Sequence, residues 1–459
     1  MSEAFRTIAT GQLVAWIFRE LESRGSIVGI PRQHFFVPST HAPYRGRIFG
    51  QPLETPVGVA AGPHSQMAQN IIAAWLCGAR YIELKTVQTL DVLDVSKPCI
   101  DMEDEGYNVE WSQELKVYES FDEYLRAWVL VHALHDMLGF PGETPGVVFN
   151  MSVGYDFAGI QQPNVQWFLD QMHDCSAHKQ ALIDEVATFY PAVRNLEIPD
   201  RVADNVTLST MHGCPPGEIE RISSYLLRDR GLHTLVKLNP TLLGPQAVRQ
   251  ILNEQLNYKD VTVPDVAFEH DLDYADAVPM LSRLRASATE CGLEFGVKLT
   301  NTLEVENSRQ VFDASEKMSY LSGRPLHAIS VKLAHRLAEE FEGSLPMSFS
   351  AGANCFNVAT LLSAGMRTVT VCSDLLKTGG YLRLLDYFEA LDAAFADAGA
   401  GDIDQFILRS AGEDADVTAA ARSNLRRYAE RGSSDPDYRK DAFADSITKT
   451  SRELGLFDC

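Results

Sequence analysis

The chain has 459 residues, 45% hydrophobic and 22% charged, ordinary values that allow one large barrel or two to three average domains. Its formal net charge of -22 is the outlier, because so acidic a surface repels phosphate backbones and anionic lipid and argues against nucleic acid and membrane surfaces as partners. The first residues show no basic region followed by an apolar one, and no stretch of about 18 residues lacks polar breaks, so a cytoplasmic protein is expected.

Residues 1–50 read as an N-terminal cap. Short β-branched or apolar runs then alternate with helical patterns. Val57–Ala60 precedes a helix over 67–77, and Arg80–Leu84 leads, after a long interval, to a helix over 121–138. Val147–Asn150 precedes a helical region over 165–189, and Val206–Ser209 precedes a helix over 218–228. Thr234–Lys237 is followed by a helix over 245–254, and a further helix over 274–291 leads to Glu294–Lys298. Pro346–Phe349 precedes 357–364, and Thr368–Val371 precedes 382–394. Eight βα units are the number that closes a barrel, so residues 51–395 are predicted to form a (β/α)8 barrel and 396–459 a helical appendage with a loose tail. An open doubly wound sheet is disfavoured because no Gly-x-Gly-x-x-Gly or phosphate-loop motif occurs. Two intervals, 87–120 and 255–273, are oversized and should sit over the active face.

A barrel keeps its chemistry at the strand ends. The first two strands end in Ala61-Gly62-Pro63-His64 and Lys85-Thr86, and the third contains Asn150. His212-Gly213-Cys214-Pro215-Pro216 follows the fourth strand, and Lys237-Leu238-Asn239-Pro240-Thr241 ends the fifth. The sixth gives Lys298-Leu299-Thr300-Asn301-Thr302, the seventh Ser350-Ala351-Gly352, and the eighth Cys372-Ser373. Small residues after the last two strands let backbone N–H groups close on a phosphate, and a lysine can stabilise an anionic reduced flavin. Amides and hydroxyls can orient a substrate ring. Cys214 stands just before a helix start, where the helix field lowers a thiol pKa from about 8.5 and equips it to hand over a proton.

Taken singly, each residue has a plainer reading. A strand-end lysine can be a solvated charge, a lone glycine a turn, and Asn150 a partner for backbone groups. Cys77, Cys175 and Cys291 are read as core fillers. No two of the eight cysteines form a Cys-x-x-Cys pair, so this chain offers no zinc or iron–sulfur site by itself. The clustering at consecutive strand ends is what favours a site.

The segments Pro56–His64, Ile82–Gln88, Lys97–Asp101, Thr207–Pro216, Val236–Thr241 and Gly296–Thr302 make the chain resemble the FMN-barrel superfamily of dihydroorotate and dihydropyrimidine dehydrogenases. Within it, the likeness is greatest to the barrel part of an enteric flavoprotein described as a selenate reductase subunit. The resemblance implies FMN as cofactor, with Ala61, Gly62, Lys85, Thr86, Asn150 and Lys237 on its ring and ribityl chain. It places Ser322-Gly323, Ala351-Gly352 and Cys372-Ser373 at the phosphate, although the seventh loop reads Ser-Ala-Gly where relatives often have paired glycines. It makes Cys214 the general acid, with His212 the next candidate, and turns Asn239, Thr241, Asn301 and Thr302 toward the substrate. Residues Asp101, Glu103, Asn108, Glu110 and Trp111 of the first long interval are expected to shape the pocket.

The expected reaction is redox chemistry at a C=C or C–C bond beside a carbonyl in a small N-heterocycle. Larger relatives continue into iron–sulfur, FAD and NAD(P)H regions, so a separate FAD/iron–sulfur electron-transfer subunit is an expected partner. Nothing in the chain suggests molybdenum or oxyanion binding, so selenate reduction itself is not adopted. A tRNA-dihydrouridine synthase shares a Gly-Cys-Pro loop, but RNA binding needs a basic face. A flavin-free structural barrel in an oxidoreductase complex is the remaining alternative.

Overall fold

The computed structural model describes residues 6–91, 100–108, 114–209, 212–308, 312, 314–412, 416–440 and 442. Eight parallel strands close into a barrel: β1 (Val57–Val59), β2 (Tyr81–Glu83), β3 (Val148–Val153), β4 (Asn205–Leu208), β5 (His233–Leu238), β6 (Phe295–Leu299), β7 (Met347–Phe349) and β8 (Thr368–Val371). Each pairs with the next in sequence, and β8 closes on β1 with Val369 opposite Val57 and Val371 opposite Val59. All eight expected strands are present, the third running three residues further than the sequence suggested, to Val153.

The strands alternate in chemistry. One face carries Val57 and Val59, Phe149, Met151 and Val153, Val297 and Leu299, and Val369 and Val371, all buried in one continuous core with the helices. The other carries Glu83, Asn150, Thr207, Lys237, Lys298, Ser348 and Thr370. Side-chain period is two in a strand, so the second set must point into the barrel. The ion pair between Lys298 on β6 and Glu83 on β2, strands that are not neighbours, can form only there. Lys298 Nζ also donates to Thr370 Oγ1 on β8 at 2.5 Å. Gly58 belongs to the inward set. A Cβ on it would lie 1.8 Å from the Tyr81 carbonyl oxygen, so only glycine lets β1 and β2 approach as they do.

The barrel end opposite the strand C-termini is plugged by apolar packing. Ile48, Phe49 and Leu53, from an antiparallel hairpin pairing 46–48 with 51–53, cluster with Tyr81, Val148 and Leu235. This hairpin straddles the expected boundary at residue 50. The expected helix over 165–189 is two helices, Pro163–His173 and Ser176–Val186. A helix not expected, His327–Glu340, follows β6, with Ile329, Leu333 and Leu337 buried at a spacing of four. After β8, the helix Arg383–Ala398 crosses the expected boundary at 395, and helices Ile403–Ala411 and Val417–Gly432 follow. No helix among the described residues is long and apolar enough to cross a membrane.

Both oversized intervals reach the open end of the barrel, and a third insertion joins them. Strands Ile100–Asp101 and Tyr107–Asn108 come from the loop after β2, and the hairpin Leu303–Glu306/Met318–Leu321 from the loop after β6. They form one four-stranded sheet, in which Tyr320 pairs with Ile100 and Leu321 with Asp101. The 255–273 segment contributes the short helix Asp265–His270 and then Asp271.

Candidate functional site

A cleft opens at the C-terminal ends of the strands. Ala61, Lys85, Thr86, His212 and Lys237 line it, together with Asn301, Thr302, Ser322, Ala351, Gly352, Cys372 and Ser373. From the insertion, Ile100 and Asn108 line it too, whereas Asp101 and Glu103 are buried in the rim. Glu110 and Trp111 lie outside the described residues, as do Cys99, Met211 and Cys459.

Local structure explains how the lining groups are held. Lys85 is almost fully buried at the end of β2, its carbonyl accepting from the Tyr124 hydroxyl at 2.9 Å. Thr86 Oγ1 lies 2.8 Å from Ser152 Oγ on β3. The Lys237 ammonium, near the end of β5, makes no hydrogen bond or ion pair among the described residues and lines the cleft. His64 is buried behind the first loop, and burial holds its imidazole at about 4, hence neutral.

The loops after β6, β7 and β8 converge on one spot. Ser322 Oγ and Ser373 Oγ are 3.2 Å apart. Gly352 has φ 62°, and a Cβ there would lie 2.8 Å from the Gly323 carbonyl oxygen, so glycine is required on both counts. A Cβ on Gly62 would lie 2.8 Å from Cys372 Sγ, which brings the first loop to the same rim. The N–H groups of Gly323, Gly352 and Ser373 have no hydrogen-bond partner among the described residues. Unclaimed N–H groups on converging small-residue loops are the donor set an anion needs.

The loop after β4 is organised by Asp271, a residue the sequence reading did not single out. Its carboxylate accepts from the Gly213 N–H at 2.8 Å and from the Thr241 hydroxyl at 2.6 Å, and lies 3.2 Å from His212 Nδ1. Burial pushes the Asp271 carboxyl up, but His212, Thr241 and Gly213 together outweigh it and hold it below the ordinary range. An ionised carboxylate only accepts, which assigns a ring proton to His212 Nδ1. Nε2 is buried and without a partner among the described residues. Tyr320 from the rim stacks on the ring, centroids 5.6 Å apart.

Cys214 departs from expectation. Its thiol is half-buried, packs against the hydrophobic core and is not among the residues lining the cleft. Burial first, then Glu218 and Asp156, push it up to about 11, the opposite of the lowering expected from a helix start. The helix Pro216–Arg228 begins with Pro215 at its cap and Pro216, which have no N–H, and carries Glu218 in its first turn. Its N-terminal field is therefore weak where Cys214 stands.

Three other candidates do not face the cleft. Asn150 is fully buried inside the barrel, where it donates to Asn205 Oδ1 and accepts from the Thr207 hydroxyl, both at 2.7 Å. Thr241 is taken up by Asp271, and Asn239 precedes the turn Pro240–Leu243 without a side-chain capping bond and is not among the cleft-lining residues. Lys298, grouped with the strand-end residues, lies within β6 and is completely buried. Burial lowers its pKa, opposed by the Glu83 carboxylate. A glutamate and a lysine on inward parity were the signal that could have found this pair.

The family model described as "Oxidoreductase YgfK, N-terminal TIM-barrel domain" matches residues 28–424. YgfK of Escherichia coli (strain K12) and its counterpart in Escherichia coli O157:H7 are each 43% identical over 418 residues, covering 86% of this chain and 40% of theirs. The chain thus spans well under half the length of these curated relatives. Among solved structures, a ligand-free dihydroorotate dehydrogenase from Eimeria tenella superimposes with a TM-score of 0.52 at 16% identity, over 87% of this chain and 97% of that one, a likeness of fold. By the match across its barrel, the chain belongs to the family of the oxidoreductase YgfK N-terminal TIM-barrel domain.

Proposed function

We propose that the chain is an FMN-dependent oxidoreductase acting on a C=C or C–C bond beside a carbonyl in a small N-heterocycle. The observation that carries this reading is the pairing of an anion cradle with a lysine-bearing, amide-lined cleft at one barrel mouth. The residues present fit the cofactor: Gly323, Gly352 and Ser373 offer N–H groups to a phosphate, and Lys85 and Lys237 offer charge to an electron-rich ring. When bound, FMN supplies the two-electron step by exchanging a hydride with the substrate carbon. Asn301 and Thr302 would orient the substrate ring through its polar edge.

The proton that accompanies the hydride needs a carrier on the protein. We assign that part to His212, because its ring lines the cleft and Asp271 holds its Nδ1 proton, leaving Nε2 to act as the base. On oxidation of the substrate Nε2 takes the proton from carbon, and on reduction it returns it. Asp271 fixes the tautomer and stabilises the protonated ring. Cys214 is the second reading, favoured by a thiol that stays protonated at neutral pH.

The electron partner is proposed to be an FAD/iron–sulfur unit, since the family model describes an N-terminal domain and the relatives are much longer than the matched region. A cytoplasmic setting accords with the unpaired cysteines among the described residues. The test is an absorption spectrum of the purified chain and identification of any cofactor released on denaturation. Stoichiometric FMN is the expected result. Failure to bind FMN on reconstitution overturns the reading.

A further inference from the structure

The C-terminal appendage reaches back to the cradle through a hydrogen-bond relay whose direction is fixed by chemistry. His327 is fully buried at the start of its helix, with Nδ1 2.8 Å from the Ala351 carbonyl oxygen. A carbonyl only accepts, so Nδ1 carries the proton and Nε2 is an acceptor. The Tyr428 hydroxyl, 2.5 Å from Nε2, must therefore donate to it. Its oxygen then accepts from the Tyr438 hydroxyl at 2.9 Å, and the Tyr438 oxygen accepts from Asn357 Nδ2 at 3.3 Å. Asn357 Nδ2 also donates to the Gly352 carbonyl at 3.0 Å. The Tyr438 ring stacks on His327, centroids 4.5 Å apart and planes 15° from parallel. Burial holds His327 at about 4, so the relay keeps its direction at neutral pH.

The relay ends on the carbonyls of two consecutive cradle residues. A trans peptide sets its N–H opposite its C=O. Drawing the Ala351 carbonyl toward His327 therefore turns the Gly352 N–H the other way, and Gly352 lines the cleft. We propose that Tyr428 and Tyr438 are positioning residues that act through His327 and Asn357 to fix the Ala351–Gly352 peptides so that the Gly352 N–H meets the terminal phosphate of the flavin. This rests on the flavin reading of the cleft and assigns to the appendage a part in the cofactor site. Asp437 and Lys440 tie the same turn down: the Asp437 carbonyl accepts from Arg324 at 3.1 Å, and Lys440 donates to Asp260 at 2.6 Å.

The test compares FMN with riboflavin, which lacks the phosphate, on the full chain and on Tyr428→Phe and Tyr438→Phe, by quenching of flavin fluorescence. Each variant keeps its ring and loses only a hydroxyl, and riboflavin binding reports that the ring pocket is intact. We expect the ratio of FMN to riboflavin affinity to fall about tenfold in Tyr428→Phe, the scale of one hydrogen bond to a charged group, and less in Tyr438→Phe. An unchanged ratio in both variants, or an equal loss of both flavins, overturns the relay. If the unaltered chain binds neither flavin, the reading of the cleft falls and the relay with it. If it binds FMN and the variants keep its ratio, only the relay falls.

Discussion

The two faces of the barrel strands obey different rules although they share a backbone. The outward face is Val, Ile, Leu, Met and Phe, packed without a charge against the helices. The inward face holds a buried ion pair, a hydrogen-bonded Asn150–Asn205–Thr207 group and the lysines of the cleft. An apolar interior of similar volume would be at least as stable, because desolvating an ion pair often costs more than the pairing returns. The outward face thus supplies stability, and the inward face is shaped by what happens at its mouth.

The strongest challenge to that division is a matched pair of substitutions. Phe149→Ala, on the outward face, should cost about 3–5 kcal/mol in urea unfolding yet leave flavin stoichiometry unchanged while the protein stays folded. Lys298→Met, on the inward face, should cost a similar ~3–5 kcal/mol by leaving Glu83 buried and unpaired, and adding Glu83→Leu should restore most of it. If the double variant is no more stable than the single, the inward polarity is structural after all.

A somewhat smaller effect separates the two proton carriers. His212→Gln should keep the fold and slow turnover by about a hundredfold, measured as flavin reduction by a screened heterocycle. Cys214→Ser should change it far less. The reverse ranking would return the role to the thiol.

Acid gives the mildest test. Burial holds His64, His132 and His327 at about 4, below the ordinary value of 6.5. The unfolded chain takes up protons that these sites refuse, so stability falls as pH drops from 6.5 toward 4, and the slope flattens below that. Each contributes about 1.4 kcal/mol per pH unit inside the window. None lies on an outward strand face, so His132→Gln and His327→Gln should each flatten a urea-midpoint scan between pH 7 and 5.

Much of the frame was legible because strand runs and helix periods are local signals. What escaped was set by distant partners. Asp271 looks like any surface acid until the fold brings it to His212, and the rim hairpin after β6 is too short to announce itself without Ile100 beside it. The thiol of Cys214 lies higher than a helix start alone suggests, because burial and the distant Asp156 act on it together with Glu218. The helix over 327–340 could have been read from Ile329, Leu333 and Leu337, and its first residue is the one that receives the appendage. For the strand-end residues, the sequence located the cleft but not the partners that separate two lysines of equal parity: Lys298, tied inside the barrel to Glu83 and Thr370, and Lys237 opposite it, which lines the cleft.

The rim sheet also bears on the order of folding. Its central pairing, Tyr320 with Ile100, joins segments far apart in the chain, and closing so long a loop in the unfolded state gains only two short strands. Once the barrel has formed, both segments spring from the same barrel mouth and meet across it, and the closure becomes short. The rim therefore assembles last and opens first, as a unit with its own lower free energy. Amide exchange there measures the gating of the cleft, while exchange in β3 and β5 measures the survival of the molecule.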